Sequence, residues 1–178
     1  MRGLVVENIA NLYRIKMENE IYEASARGKL KQIDVSPVVG DVVECKIVDD
    51  VKKVATIENI EDRKMYIKRP KMANLSQLIF VVSSKNPKPD LLMLDKQLLF
   101  AEFLGIRAII VLNKIDLDKD EEFVKISKLY EDIGYDVIKT DAKDGIGLDE
   151  LKRKLKDNIS AFSGNSGVRK VYTYKWLV

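Results

Sequence analysis

Four consecutive residues could recognise a purine base. Asn113, Lys114, Ile115 and Asp116 spell N-K-x-D directly after an apolar run at residues 107–112. An aspartate here can accept two hydrogen bonds from the N1 and N2 edge of guanine, and adenine lacks the 2-amino group. The asparagine amide can meet the base and a neighbouring loop, and the lysine stem can cover the base face. These residues predict guanine binding; a polar loop that carries these letters by chance is the alternative.

A second candidate loop follows a later apolar run and reads T-D-A-K. Guanine sites often carry S-A-K at this place, with a backbone N–H on the guanine O6. Asp141 replaces the serine, and Ala142 and Lys143 match. By itself this segment would be an ordinary turn, but beside N-K-x-D we expect it to support the base.

A third candidate is a glycine-containing segment that resembles a phosphate loop, G-x-x-x-x-G-K-[ST]. In that motif backbone N–H groups wrap the phosphates, the lysine reaches the outer ones, and the hydroxyl holds Mg²⁺. Here the residues are Gly164, Asn165, Ser166, Gly167, Val168, Arg169, Lys170 and Val171. Arg169 replaces the second glycine, and Val171 has no oxygen with which to ligate a metal. The motif is therefore broken, and a plain glycine-rich turn is the alternative.

The elements that would position these loops fall into two groups. Residues 1–67 carry five short apolar or alternating runs, which predict strands at 4–9, 12–17, 21–26, 42–48 and 54–60. A small all-β barrel is expected, of which the OB-fold is one type. An SH3-like barrel or an open sheet remains possible from the pattern alone.

From residue 68 to residue 178 the pattern changes to alternating strands and helices. Continuous apolar runs predict buried strands, and helical spacing predicts the segments between them. The predicted strands are 78–82, 107–112, 136–140 and 159–162, and the predicted helices are 91–104, 121–133 and 148–156. This order is typical of an α/β domain with a mostly parallel sheet, whose ligands bind at the carboxyl ends of the strands.

The composition excludes several classes of site. Among 178 residues, 31 lysines and arginines against 28 acidic residues give a net charge of +3, too balanced to bind phosphate chains by bulk charge. There is no histidine and one cysteine, Cys45. A disulfide framework, a Cys/His zinc site and a histidine base are therefore excluded, and a reducing cytoplasm fits. No apolar run approaches the length of a membrane span, so no membrane partner is expected.

The predicted barrel could bind RNA through a face that carries aromatic and basic residues. Stacking of bases and contacts to phosphates would use the exposed rings and cations. The candidates are Tyr13, Arg14, Tyr22, Arg27, Lys29 and Lys31. Charges of this kind are commonly only solvated. A non-enzymatic RNA-binding module and an inactive relic of an enzyme therefore stay open beside the nucleotide-binding function.

The order of the motifs is the sharpest signal in the sequence. The base-reading loops precede the phosphate loop, the reverse of an ordinary GTPase, and a β-barrel stands in front. In this the chain resembles the circularly permuted GTPases of the RsgA (YjeQ) family. The resemblance also runs through Arg27-Gly28-Lys29-Leu30, Val39-Gly40-Asp41, Lys68-Arg69-Pro70, Ala73-Asn74, Leu94-Asp95-Lys96, Val111 to Leu117 and Ser166-Gly167-Val168.

The resemblance implies an OB-fold that contacts ribosomal RNA, followed by a circularly permuted P-loop GTPase domain of Rossmann-like type. It implies GTP and GDP as ligands, Mg²⁺ in the intact enzyme, and ribosome-stimulated hydrolysis in late maturation of the small (30S) ribosomal subunit. A cytoplasmic monomer is expected. The family's zinc domain and two switch segments have no counterpart in this sequence, so weak or no hydrolysis is expected. No catalytic residue and no metal ligand is assigned.

The last ten residues, RKVYTYKWLV, differ from the helix expected after a phosphate loop. Residues 169–176 can be encoded as AGG AAA GTC TAC ACT TAT AAA TGG. Read one nucleotide later, this string gives G-K-S-T-L-I-N, which is expected in this family. We therefore hypothesise an extra nucleotide near codon 169; a naturally divergent C-terminus is the alternative. Resequencing tests this, since an uninterrupted frame without G-K-S-T-L-I-N downstream would disprove it.

Overall fold

The computed structural model describes residues 1–27, 36–118 and 121–168. The chain divides into two compact units, Met1–Asn74 and a second that begins at Leu75. The boundary lies seven residues beyond the expected end of the barrel domain at residue 67. Within the described segments, no helix combines the length and the apolar character needed to cross a membrane.

The first unit is a closed five-stranded barrel of OB-fold type. Its strands are β1 (Arg2–Ile9), β2 (Leu12–Met17), β3 (Glu20–Ala26), β4 (Val42–Asp49) and β5 (Val54–Ile60). Their order around the barrel is β1-β2-β3-β5-β4. Strands β3 and β5 pair in parallel and the other neighbours are antiparallel. The predicted barrel is confirmed, and the open sheet is excluded because the barrel closes through β1 and β4.

Alternation along the strands places every second side chain in the barrel core. The core includes Val5, Tyr13, Ile15, Tyr22 and Ile57. The prediction that Tyr13 and Tyr22 stack on RNA bases is therefore wrong, because both rings are buried. The Tyr22 hydroxyl also donates a 2.6 Å hydrogen bond to Asp50.

The arginines proposed for the RNA face remain on the surface. Arg14 pairs with Glu7 at 3.0 Å, and Arg27 pairs with Glu58 at 3.2 Å. Exposed ion pairs of this kind contribute little to stability, but they offset the positive charge that would attract phosphate. Lys29 and Lys31 lie outside the described residues.

A short hairpin that the sequence pattern did not reveal packs on the barrel. It consists of β6 (Tyr66–Lys68) and β7 (Lys71–Ala73). Val39 and Met72 form a parallel bridge, and the Ala73 amide donates to the Val39 carbonyl at 2.9 Å. These bonds attach the hairpin to the first unit.

Asp41 is the polar anchor beneath this attachment. Its carboxylate is fully buried and accepts two hydrogen bonds from the Arg63 guanidinium, both at 2.8 Å. It also accepts the Val38 amide at 2.7 Å. Arg63 further donates to the Ser36 carbonyl at 3.0 Å. Because these bonds compensate the buried charge, they tie the segment before β4 to the segment that leads into the hairpin.

Replacement of Gly40 by alanine is expected to destabilise the barrel by about 3–5 kcal/mol, since overpacking adds to backbone strain. Gly40 has φ +92°, and a Cβ there would lie 1.9 Å from the Ala73 carbonyl oxygen. Gly105→Ala is the matched control, with φ +66° and no atom within 4 Å of the added Cβ. It should cost only about 1–2 kcal/mol, the cost of the left-handed backbone alone. Urea unfolding measures both, and equal losses would contradict the close approach.

In its described residues, the second unit is a parallel four-stranded sheet with three α-helices. Its elements are β8 (Gln77–Ser83), α1 (Leu91–Leu104), β9 (Arg107–Asn113), a 3₁₀ turn (Ile115–Leu117), α2 (Glu122–Asp132), β10 (Asp136–Thr140), α3 (Leu148–Leu155) and β11 (Ser160–Ser163). The strand order is β10-β9-β8-β11, and each pair is parallel. The predicted α/β fold is confirmed. All four carboxyl ends therefore lie at one edge of the sheet.

The two central strands are buried on both faces, which explains their unbroken apolar runs. Ile79 and Val81 of β8 pack with Ile109 and Val111 of β9, and Leu151 of α3 covers them. This core holds the strand ends rigidly beneath the loops that carry polar side chains.

Candidate functional site

The three candidate loops converge on one buried side chain at the carboxyl edge of the sheet. Asn113 ends β9 and is fully buried. Its Nδ2 donates to the Val168 carbonyl at 2.8 Å, which reaches the segment after β11. Its Oδ1 accepts the Ala142 amide at 3.0 Å and the Thr140 hydroxyl at 3.1 Å, after and at the end of β10. The amide thus meets neighbouring loops, as the sequence suggested, and it joins all three.

Lys114 is held by a turn after β8 that none of the three sequence motifs contains. Its backbone is left-handed (φ 66°, ψ 44°), and the residue is 5% exposed. Its ammonium donates to the backbone carbonyl of Lys85 at 3.1 Å and to that of Asn86. In return the buried Ser84 hydroxyl donates to the Lys114 carbonyl at 2.8 Å. Two serines directly after the apolar run of β8 were the available signal for this turn.

Asp116 lies on the 3₁₀ turn that follows. The Leu117 amide donates to the Lys114 carbonyl at 2.9 Å, and the Asp118 amide donates to the Ile115 carbonyl at 3.1 Å. The Asp118 carboxylate then accepts the amides of the first residues of α2. Asp116 itself is exposed and Ile115 is partly buried. A carboxylate is therefore presented at the surface from a backbone that is fixed on both sides.

The loop after β10 is ordered by Asp141, the residue that replaces the expected serine. Asp141 is buried, and its carboxylate accepts the Lys143 amide at 2.9 Å. Its backbone also bridges to Ile146. The amides of Ala142 and Lys143 both donate to protein oxygens, while the Lys143 side chain is exposed. The Asp141 side chain thus stabilises this turn by accepting a hydrogen bond from the backbone two residues later.

The glycine segment after β11 packs closely on β8. Gly164 has φ +153°, and a Cβ there would lie 2.4 Å from the Val81 carbonyl oxygen. Asn165, Ser166 and Gly167 form an exposed turn, and Val168 returns to the core. Arg169, Lys170 and Val171 lie outside the described residues. Phosphate binding by these residues therefore stays a prediction.

The side chains of the loop cluster can bind a polar organic ligand, but they do not form a metal site. The loop cluster combines an exposed carboxylate at Asp116 with an exposed lysine at Lys143. In the described parts of the chain, no three His, Cys, Asp or Glu residues are close enough to hold a metal ion. The position that carries a metal-binding hydroxyl in a phosphate loop is Val171, whose side chain has no oxygen. These residues therefore do not fit Mg²⁺.

Two family models match the chain. One, described as RsgA GTPase, matches residues 60–172, and the other, the RsgA N-terminal domain, matches residues 2–55. Among curated proteins, a small ribosomal subunit biogenesis GTPase RsgA from Alkaliphilus metalliredigens is 38% identical over 95% of the chain. The protein of the same name from Clostridium novyi is 42% identical over 96% of the chain. The chain spans 58% of the length of each of these relatives.

Two solved structures share the fold. The crystal structure of YjeQ from Thermotoga maritima superposes with a TM-score of 0.83 at 34% identity, over 99% of this chain and 64% of that one. The structure of YloQ, described as a circularly permuted GTPase, gives a TM-score of 0.78 at 29% identity, over 96% of this chain and 62% of that one. The reversed order of loops in this chain is thus matched by a solved relative.

Proposed function

The chain belongs to the RsgA GTPase family, and from that membership we propose that it binds guanine nucleotides in the cytoplasm and acts in maturation of the small ribosomal subunit. The observation that supports the proposal is the buried Asn113 amide, which joins the three candidate loops beside Asp116. GTP and GDP are the proposed ligands.

Each residue of the loops has a proposed role. Asp116 accepts hydrogen bonds from the N1 and N2 groups of guanine. The Lys114 stem covers one face of the base, and the hydrogen bonds of its ammonium to the carbonyls of residues 85 and 86 hold the side chain in place. Asn113 positions the loops, and Lys143 with Asp141 and Ala142 supports the base. The segment from Gly164 to Lys170 approaches the phosphates.

Hydrolysis by this chain is proposed to be weak or absent. Without a Mg²⁺ ligand set, the charge that develops on the phosphoryl oxygens would be poorly neutralised. The relatives are named GTPases, and the chain spans little more than half of their length. We therefore assign binding to these residues and derive no hydrolytic step from them.

Titration with fluorescently labelled GDP tests the binding proposal. Saturable binding that GDP displaces and ADP does not is expected. Asp144→Asn, an exposed carboxylate in the loop after β10, is the control and should bind like the wild type. Absence of binding at high micromolar protein would overturn the proposal.

A surface of the first unit supports ribosomal RNA as the proposed partner. Lys68, Arg69 and Lys71 surround the tip of the β6–β7 hairpin and are exposed, as is Lys64 at its base. In the described part of the chain no ion pair joins these four to an acidic residue. Positive charge is thus concentrated locally, although the chain as a whole carries only +3. This patch favours the RNA-binding function more directly than the paired arginines of the barrel do.

The triple variant Lys68→Ala, Arg69→Ala, Lys71→Ala is expected to weaken binding to small ribosomal subunits. If two or three phosphate contacts are lost, the slope of log K against log salt should become less steep by about 2. Filter binding at several KCl concentrations measures this slope. Lys16→Ala with Lys46→Ala, on exposed barrel positions, is the control. An unchanged slope in the triple variant would exclude the hairpin as the contact.

A further inference from the structure

The turn that follows β8 is joined to the N-K-x-D loop in both directions. Ser84 is buried, and its hydroxyl donates to the Lys114 carbonyl at 2.8 Å. Its backbone amide donates to the preceding carbonyl, that of Asn113, at 3.3 Å. In the other direction, the Lys114 ammonium donates to the carbonyls of Lys85 and Asn86. These hydrogen bonds join the ends of β8 and β9, and together they are called the Ser84 clasp.

The Ser84 clasp holds Lys114 in a backbone conformation that lysine rarely adopts. Its φ of 66° and ψ of 44° lie in the left-handed region, which is costly for a residue that has a Cβ. Asparagine and aspartate enter this region through local hydrogen bonds of their short polar side chains, which lysine lacks. Such a conformation persists only where the surrounding structure fixes it. The clasp fixes Lys114 at two points, its carbonyl and its ammonium.

The Lys114 carbonyl also determines where Asp116 lies. It accepts a second hydrogen bond, from the Leu117 amide at 2.9 Å, and this bond closes the 3₁₀ turn. Asp116 is the middle residue of that turn. Because the Ser84 hydroxyl and the turn share one acceptor, a rotation of the Lys114 peptide group would move the carboxylate of Asp116 as well.

The same turn after β8 reaches the glycine segment. The Ser83 hydroxyl donates to the Pro87 carbonyl at 2.7 Å and closes the turn. A Cβ built on Gly167 would lie 3.5 Å from Pro87 Cδ and 3.6 Å from the Asn86 carbonyl oxygen, which is ordinary van der Waals contact. The turn therefore lies between the candidate base loop and the segment that we propose approaches the phosphates.

We propose that Ser84 is a positioning residue for guanine recognition. Its hydroxyl fixes the Lys114 peptide group and, through the 3₁₀ turn, the carboxylate that meets the 2-amino group of the base. This inference rests on the proposed function, because it assigns a role within the guanine site. Without the hydroxyl, Lys114 is free to leave the left-handed region. The fraction of chains with a competent loop then falls, and the apparent affinity falls by the same factor.

Ser84→Ala should remain folded, because the Lys114 carbonyl keeps the Leu117 amide as a donor and is not left unpaired. Ser127→Ala is the matched control. Ser127 is also a buried serine, and its hydroxyl donates to Glu131 at 2.6 Å on α2, away from the three loops. Both variants should lower the melting temperature by a similar amount, about 2–5 °C. A difference in ligand binding between them is then not a consequence of lost stability.

Titration with GDP and with inosine diphosphate measures the positioning role. Inosine diphosphate lacks the 2-amino group, so the ratio of the two dissociation constants reports the hydrogen bond from this group to Asp116. The wild type should prefer GDP by about 10- to 100-fold. Ser84→Ala should lose about tenfold in GDP affinity, and its preference for GDP should fall at least about threefold. Ser127→Ala should match the wild type in both quantities, because a loss of stability alone changes neither.

The amide resonances of Asp116 and Leu117 in the nucleotide-free chain provide a second measurement. They should shift in Ser84→Ala and stay in place in Ser127→Ala. Unchanged resonances in Ser84→Ala, wild-type GDP affinity, or weaker binding with an unchanged preference for GDP would each overturn the positioning role while leaving the proposed function intact. A wild type that binds no GDP would overturn the proposed function and this inference together.

Discussion

Asp116→Asn is expected to change the base preference of the chain from guanine to xanthine. In the proposed site the carboxylate of Asp116 accepts from both N1–H and the 2-amino group of guanine, whereas an asparagine amide offers one acceptor and one donor group. Against guanine, the amide NH₂ would face the 2-amino group, so one hydrogen bond is lost and two donors oppose each other. Xanthine carries an oxygen at that position and would accept from the amide.

The size of this change follows from the cost of unpaired polar groups. A site that is built to bond a particular group discriminates against the wrong one by several kcal/mol. We expect GDP affinity to fall by about 100- to 1,000-fold and xanthosine diphosphate affinity to rise by a similar factor. Competition of both nucleotides against labelled GDP or labelled xanthosine diphosphate measures the two constants.

The exposed position of Asp116 makes this result interpretable. The 3₁₀ turn is held by backbone hydrogen bonds, and the asparagine is isosteric, so the loop should keep its shape. Asp144→Asn, also exposed, should leave both affinities unchanged. Equal weakening of both nucleotides in Asp116→Asn would show that the residue supports the loop and does not read the base.

Asn113→Ala is expected to destabilise the second unit and to abolish nucleotide binding. The substitution removes three hydrogen bonds, and it leaves the Ala142 amide and the Val168 carbonyl buried without their partner. Each such loss costs about 1–3 kcal/mol, so a total of about 3–5 kcal/mol is expected. Since the loops after β10 and β11 lose their common anchor, the base and phosphate positions should no longer be held together.

Hydrogen exchange separates this effect from global unfolding. The amide of Ala142 should lose protection, whereas amides in the barrel strands should not change, because they belong to the other unit. Asn59→Ala, at an exposed position of β5, is the matched control for loss of an asparagine. Full protection at Ala142 together with lost GDP binding would mean that Asn113 contacts the base and does not organise the loops.

Periodicity predicted most of the secondary structure because local patterns determine it. The alternating runs of the barrel and the continuous run at residues 78–82 became strands that differ from the predicted ranges by one or two residues at their ends. The hairpin at residues 66–73 could not be predicted from periodicity. Its strands have three residues each, too few to show a period, and contacts with the segment around Gly40 attach it to the barrel.

The failures among the proposed RNA contacts have one physical cause. The prediction places Tyr13 and Arg14 on one face, but neighbouring residues of a strand point to opposite faces. Tyr13 therefore lies with Ile15 and Met17 in the core, and Arg14 faces outward. In a closed barrel one face of every strand is interior, and register decides which. Both tyrosines lie on the inner face. Among the described residues, Lys68, Arg69 and Lys71 of the hairpin form a cluster of exposed cations that is in no ion pair with an acidic residue.

The sequence by itself determined which hydrogen bonds the proposed base site can offer and the order of the candidate loops along the chain. Residue types such as Asp116 limit which hydrogen bonds can be offered, and that limit holds before the chain folds. The order of base loops before the phosphate loop is likewise a property of the chain, and it carried the resemblance to the family.

Only the tertiary structure showed which of the candidate site residues are buried anchors of loops and which are exposed. Asn113 and Asp141 look like ligand-binding residues in the sequence, and both are buried anchors of loops. The hydrogen bond from Ser84 to the Lys114 carbonyl could not be predicted from the sequence, because it forms only when β8 and β9 lie side by side. The exposure of Leu99 and Phe103 on α1 also emerged only with the fold, because helical spacing shows that a helix is apolar on two sides but not which side the sheet will cover.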